Sequence, residues 1–508
     1  MAMATDTVTA TVMDMGTRIG RRDMTRKLAW LCIARSVPST FCLSLAVSLL
    51  PATYSLAGDW QLTESTAFGL THVDRSGNNP YSGMVLQATP TLNFVGESGR
   101  SFANVNYRPT FSVGGGTTDP KFLTHDLIAR GQVEAIEDVF FLGANASARL
   151  YGNEGIAGSV DSININSDGG QSYSLGVTPE FRFHLNRYAD LVSRNNFNKV
   201  WYDDDNSSSR SDSFQSVYHV GLRNGRHFGP LSWRADASYD ITEYDTRTDD
   251  RREATVGVGY RVTSQLQMNG EVGYERNDLQ TSRPETEGSI WTVGADWNPG
   301  PRTTVAVSAG ERYFGSIYDF DFTHTSRRTQ FRLGASRDVD NRRSSQLVDS
   351  FFFIDDGTGN PVLDPATGDP IVVAGQQVQQ VDEDYVTERV RASLLVTGRR
   401  TTARVSASLE TRDYEVSGDN EDTYYLSFGV NREMGNRISA GVNANYQFED
   451  NNNFGDSDYY DVRLSLSRAI GRESSASVSI SHHERDADNP TDSYREDRIG
   501  ITFVTGFL

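Results

Sequence analysis

The sequence predicts an all-β protein: one up-and-down antiparallel barrel that crosses a membrane, with about 22 strands (roughly 18–24). Three observations predict it. Apolar and polar residues alternate at period two from Trp60 to the C-terminus, in segments longer than ordinary soluble strands. The connections between segments alternate between short turns and longer acidic or Asn-rich stretches. A leader-like segment precedes the first strand, and the chain after it has no cysteine.

The leader comes first. Arg21, Arg22, Arg26 and Lys27 precede the apolar run "FCLSLAVSLL", 41–50. Ser55 and Ala57 are the small residues a signal peptidase reads, so residues 1–57 are expected to be a signal peptide cleaved before Gly58. A start at Met24 would leave a leader of conventional length. The apolar run is too short to span a bilayer. Cys32 and Cys42 both lie in the leader, so no disulfide, thiolate metal site or cysteine nucleophile is expected beyond it. Beyond the leader the basic residues are Arg, apart from Lys121 and Lys199.

The strands follow from Gly58 to Leu508 as one domain. "GDWQLTESTAFGLTHV" opens the series, and "RISAGVNANYQF" shows it most clearly. In the latter, Ile438, Ala440, Val442, Ala444, Tyr446 and Phe448 are expected to face lipid, and Ser439, Asn443, Asn445 and Gln447 the lumen. Turns such as "GESGR" (96–100), "TGRR" (397–400) and "EMGN" (433–436) belong to the periplasmic side. Stretches such as 152–170, "DDDNSSSRSD" (203–212) and "EDNNNFGDSD" (449–458) belong outside. The pattern is least regular between Ser172 and Tyr202. Trp291, Trp297, Tyr446, Phe448, Tyr459 and Tyr460 stand near strand ends, as interfacial girdle residues do.

The long segment 340–384 is expected to be an external loop. "SFFFIDD" and "DPIVVAG" inside it read as a small hairpin, either folded into the barrel as a constriction or standing outside it. "DDGTGNPVLD" has calcium-ligand residue types without the spacing of a hand-type loop, so no metal is expected there.

Composition excludes several classes. A net charge of -19 makes nucleic acid a poor partner. No run of eighteen apolar residues marks a transmembrane helix. No phosphate-binding loop, dinucleotide fingerprint or zinc motif is present, and no cofactor is expected. A sandwich or propeller would show separate domains or a fixed repeat, and neither is visible. Strands begin so near Gly58 that no plug domain is expected before the barrel, which disfavours energy-coupled transport.

Alternation places an arginine-rich set in the lumen: Arg328, Arg332, Arg389, Arg391, Arg404, Arg412, Arg463 and Arg498. Asp338, Glu410 and Asp461 are interleaved with them. Two readings stay open. The charges pair across strands and fill the barrel, or they line a wet passage that binds anionic solutes. "SISHHERD" puts Ser481, His482, His483 and Asp486 near an external loop, with His482 toward lipid and His483 toward the lumen. No neighbour in sequence completes a triad, so an enzyme is not expected.

The stretch "GERYFGSIYDFDFTHTSRRT", 310–329, carries a resemblance. Its Gly310, Glu311, Arg312, Tyr313, Phe314 and Gly315, followed by Tyr318, His324, Arg327, Arg328 and Thr329, are similar to the motif of outer-membrane β-barrel proteins of the PEP-CTERM/exosortase system, which accompany exopolysaccharide loci. "DWQLTESTAFGLTHVDRSGN" and "ATPTLNFVGESGRSFANVNYRP" resemble the opening strands of that family. The resemblance implies a Gram-negative outer-membrane location, with outer-membrane lipid and the barrel assembly machinery as partners, and a link to exopolysaccharide or surface-protein export with exopolysaccharide as cargo. The passive channel or conduit role, with small anionic solutes as cargo, is expected from the arginine-rich lumen. A structural or surface-binding barrel is the alternative, and an outer-membrane hydrolase a remote one. Read from its residues alone, the motif is a strand ending at Arg312, a tight external turn "FGSI", a strand from Tyr318 and a basic turn "SRRT".

Overall fold

The computed structural model describes residues 58–152, 161–164, 169–203, 212–244, 247–278, 286–341, 346–353, 372–377, 384–415, 418–435, 437–451, 455–471 and 474–507. The leader reading of 1–57 lies outside the described residues.

The strands are β1 (Gly58–Gly77), β2 (Tyr81–Ser98), β3 (Ser101–Gly116), β4 (Leu123–Ile136), β5 (Phe140–Gly152), β6 (Gly169–His184), β7 (Ala189–Asp203), β8 (Ser213–Asn224), β9 (Leu231–Tyr244), β10 (Thr248–Arg261), β11 (Leu266–Asp278) and β12 (Glu287–Gly300). They continue as β13 (Thr303–Arg312), β14 (Gly315–Thr325), β15 (Thr329–Asn341), β16 (Gln346–Phe353), β17 (Val372–Gln377), β18 (Asp384–Thr397), β19 (Thr401–Tyr414), β20 (Asn420–Glu433), β21 (Ile438–Asn451), β22 (Ser457–Ala469), β23 (Ser474–Ala487) and β24 (Tyr494–Phe507). Each pairs antiparallel with the next, except that β15 pairs with β18, while β16 and β17 form a separate two-stranded sheet. β1 pairs with β24, from Glu64↔Phe507 to Gly77↔Tyr494, and closes a 22-stranded barrel. Closure leaves no unpaired edge, which hydrocarbon would not tolerate.

Polarity is inverted relative to a soluble protein. Val272 is 62% exposed, Leu62 59% and Ile501 58% on the outer face, while Glu275 and Glu496 are 1% exposed and Arg75 3% on the inner face. An apolar exterior around a polar interior is stable only where the exterior meets lipid. In β21, Ile438 and Val442 are exposed outward and Gln447 is buried inward.

Gly58 and Phe507 share one rim, here called the near rim, whose turns are short, such as Gly99-Arg100 between β2 and β3. Most connections at the far rim are longer. Three far-rim connections are short, contrary to strict alternation: residues 78–80, residues 245–247, and Tyr313-Phe314 between β13 and β14. The turn after Arg312 is therefore Tyr313-Phe314, and Gly315 already pairs with Arg312, so "FGSI" is not the turn. Gly315 takes φ +120°, a conformation side-chain-bearing residues avoid, and this lets the chain reverse so sharply. The expected hairpin in 340–384 is present as β16–β17, with Phe353 opposite Val372.

Tyr459 corrects one girdle expectation. It is 2% exposed and packs inside against Tyr494, whereas Tyr460 faces out with its ring tilted against that of Tyr446, centroids 5.0 Å apart. Adjacent strand residues take opposite faces, so only one of the two can reach the interface.

Candidate functional site

The lumenal wall is the site, and its far-rim half is built from ion clusters. Opposite neighbours in an antiparallel sheet lie close enough for a long guanidinium to meet a carboxylate on the next strand. Arg389 binds Glu410 with two parallel bonds, Nε to Oε2 at 2.7 Å and Nη2 to Oε1 at 2.9 Å. Arg412 donates to the same Glu410 at 2.7 Å and to Glu421 at 2.5 Å, and the Tyr414 hydroxyl donates to Glu421 at 2.9 Å. Such bidentate, charge-assisted bonds hold side chains in one geometry.

A second cluster involves Arg312. It reaches Glu275 at 2.5 Å and Asp338 at 2.9 Å, with Glu253 3.9 Å away. Arg312 is thus the lumenal member of the 310–329 motif. Gly310 is the crossing point beside it: a Cβ there would stand 1.9 Å from the Trp291 carbonyl oxygen. Glu311 and Tyr318 face outward instead, Glu311 accepting from Trp291 Nε1 at 3.3 Å and Tyr318 donating to Glu388 at 2.6 Å. Phe314 is buried, with the guanidiniums of Arg312 and Arg337 about its ring. His324 Nδ1 lies 2.8 Å from Thr303 Oγ1 near the near rim.

The third cluster holds part of a loop inside the barrel. Arg498 is bonded to Glu496 and to Asp161, and Glu496 accepts from Tyr81 and lies 3.6 Å from Arg75. Ser162 accepts from Gln87 at 2.6 Å, and Ile163 packs on Val73 and Val85. These partners all lie on the lumenal faces of β1, β2 and β24. Residues 161–164, expected in an external loop, therefore fold into the lumen. Burial alone would raise the Asp161 carboxyl, but the Arg498 guanidinium outweighs it and holds the group below the usual carboxylate range.

The remaining predicted arginines divide. Arg332, Arg389 and Arg391 line a recess of about 310 Å³ with Asp319, Asp321 and Tyr425. Arg404 is buried on β19. Arg463 is exposed on β22. Arg328 corrects the lumenal set: it lies with Arg327 and Ser326 in the turn before Thr329, exposed at the near rim, because the strand begins only at Thr329. A larger recess, about 560 Å³, lies toward the near rim along β8–β13, where His219 meets Asp236 at 3.0 Å and lumen-facing Gly257, Gly259 and Gly294 thin the wall. Sequence reasoning missed it, because glycine on one face of a strand reads as a gap in the pattern.

His483 points inward and His482 outward. His482 contacts Asp497 at 2.7 Å and Glu484 at 3.4 Å on the exterior. His483 has Ser481 Oγ 3.1 Å from Nε2 and Asp461 Oδ2 2.8 Å from Nδ1. Asp461 stands on β22, directly opposite His483. Asp486, the aspartate of the same sequence stretch, pairs in register with Asp458.

No known protein-family profile and no curated protein matches the chain. Solved structures match at low identity. The siderophore receptor PirA from Acinetobacter baumannii aligns with a TM-score of 0.49 and 7% identity, over 88% of this chain and 80% of that one. The FrpB iron transporter from Neisseria meningitidis (F5-1 variant) aligns with a TM-score of 0.45 and 10% identity, over 88% and 83%.

Proposed function

We propose that this protein is an outer-membrane β-barrel serving as a passive passage for small polar solutes, anionic ones foremost. The observation that carries the reading is the contrast between an apolar exterior and an arginine-bearing lumen. Two recesses on the wall and the exposed Arg463 give an anion places to dwell, and the paired carboxylates keep those places from becoming traps. The cation clusters lie inside, beyond the acidic external segments. The resemblance of 310–329 to the PEP-CTERM-associated barrels supports placing this passage in exopolysaccharide or surface-protein export.

The test is single-channel recording in planar bilayers. Discrete steps with anion preference are the expected result. A second reading, a structural barrel without transport, has its own support: the far-rim ion clusters and the docked segment 161–164 fill lumenal space. Protein that is folded and heat-modifiable on gels but never conducts favours that reading and removes the first.

A further inference from the structure

We propose that Ser481, His483 and Asp461 form a hydrolytic triad on the lumenal wall, cleaving small hydrophilic carboxylic esters. The three side chains have the connectivity that acyl transfer needs. Asp461 Oδ2 lies 2.8 Å from His483 Nδ1 and fixes the proton there, so that Nε2, 3.1 Å from Ser481 Oγ, presents its lone pair to the hydroxyl. The acid is itself held. Asn445 Nδ2 donates to Asp461 Oδ1 at 2.8 Å, and the Tyr425 hydroxyl donates to Asn445 Oδ1 at 3.1 Å. Four strands, β20–β23, thus converge on one histidine, and second-layer bonds of this kind lock a ring's tautomer and direction.

The surroundings supply the remaining parts. Arg463 stands directly opposite Ser481 across the β22–β23 ladder. It is exposed, and among the described residues it makes no ion pair, unlike Arg389, Arg412 and Arg498. Its guanidinium is placed to hold the negative charge that develops on a carbonyl oxygen attacked by Ser481. On the other side Ser481 faces Arg498, which carries the docked segment 161–164, so solute passing that segment passes the serine. Toward the near rim the wall is Ser479, Ser465, Gly500 and Gly441. Small polar residues give room for a short acyl group and no apolar pocket for a long chain.

The chemistry balances with water as the co-reactant. Ser481 Oγ bonds to the ester carbonyl carbon while its proton moves to His483 Nε2. The tetrahedral adduct collapses, the C–O bond to the alcohol breaks, and the alcohol leaves with that proton. Water, deprotonated by His483, attacks the acyl-serine, and Ser481 leaves with the proton returned.

The purified barrel in detergent is tested with p-nitrophenyl acetate and with a fluorophosphonate probe followed by peptide mass mapping. The expected result is an adduct on Ser481, hydrolysis lost in Ser481→Ala, and a kcat lowered on the order of 10,000-fold with KM little changed in Asp461→Asn. No adduct on Ser481 in the unaltered protein, or equal hydrolysis by Ser481→Ala that retains heat-modifiability, overturns the proposal. The adduct measurement needs no variant, so misfolding of a mutant leaves the question decidable. It is also independent of whether the barrel conducts.

Discussion

Nη2 of Arg312 lies 2.5 Å from Oε2 of Glu275, and Glu275 is 1% exposed. The pair spans β11 to β13, two strands apart, and therefore ties together a stretch of wall that backbone pairing links only indirectly. Glu275 also accepts from Asn277 Nδ2 at 3.3 Å. Arg312→Ala leaves a buried carboxylate short of its main partner. Such a loss is expected to cost about 3–5 kcal/mol in a buried setting, less here because the Arg312 side chain is itself 17% exposed. The check is the urea midpoint of refolded barrel in lipid. Glu275→Gln with Arg312→Ala together is expected to recover part of the loss, since the uncompensated charge is then gone.

Gly310 gives a steric prediction on the same motif. A methyl there meets the Trp291 carbonyl at 1.9 Å and Thr292 Cγ2 at 2.8 Å, and a backbone atom cannot swing aside as a side-chain tip can. Gly310→Ala is expected to cost about 1–3 kcal/mol as overpacking, and Gly310→Val to block assembly. Loss of the heat-modifiable gel shift reads this directly. An unchanged shift and midpoint in Gly310→Val would refute the crossing-point role.

The two faces of β21 predict opposite tolerance to charge. Val442 is outward and Asn443, the next residue, is inward. Val442→Arg is expected to destabilise by about 2–4 kcal/mol if it sits near the bilayer midplane, whereas Asn443→Arg should fall within about 1 kcal/mol. Lipid-refolding titrations of both variants measure the contrast. Equal costs would mean that this strand does not separate lipid from lumen.

Docking of residues 161–164 predicts a pH response. The carboxyl of Asp161 is held below its ordinary value by Arg498, against the opposing effect of burial. A depressed acid contributes stability that is present above the unfolded value, about 3.9, and fades as pH falls through the lower folded value. Docking is therefore strongest from neutral pH down to the unfolded value and weakens progressively as pH falls from there through the lower folded value. Asp161→Asn and Arg498→Ala undock it at every pH. Single-channel conductance from pH 7 to pH 3, compared among the three proteins, is the measurement. A conductance step near neutral pH, or no difference in Asp161→Asn, counts against docking by this pair.

Much of the barrel was legible in the sequence because a strand's two faces are encoded at period two. Ile438, Val442 and Tyr446 announce an apolar surface, and Asn443 and Gln447 a polar one, without knowledge of any other strand. The strand number followed from counting such segments. Local sequence was a poorer guide where a single residue changes face or leaves the strand. Tyr459 and Tyr460 cannot both reach the interface, because neighbours on a strand take opposite faces, and only the sheet shows that Tyr459 is the inward one. Arg328 leaves the lumen because pairing begins only at Thr329, a boundary set by the neighbouring strand.

The sequence by itself determined the fold class, the strand count and which face of each strand is polar, since these depend on residues two apart along one chain. Only the tertiary structure decided which polar residues meet. Asp461 finds His483 through the register of β22 on β23, and Asp161 finds Arg498 although 337 positions separate them. Register and closure are set by the summed hydrogen bonds and side-chain fit of whole strands. No short stretch carries that information, so the partners of a charge can be read only from the closed barrel.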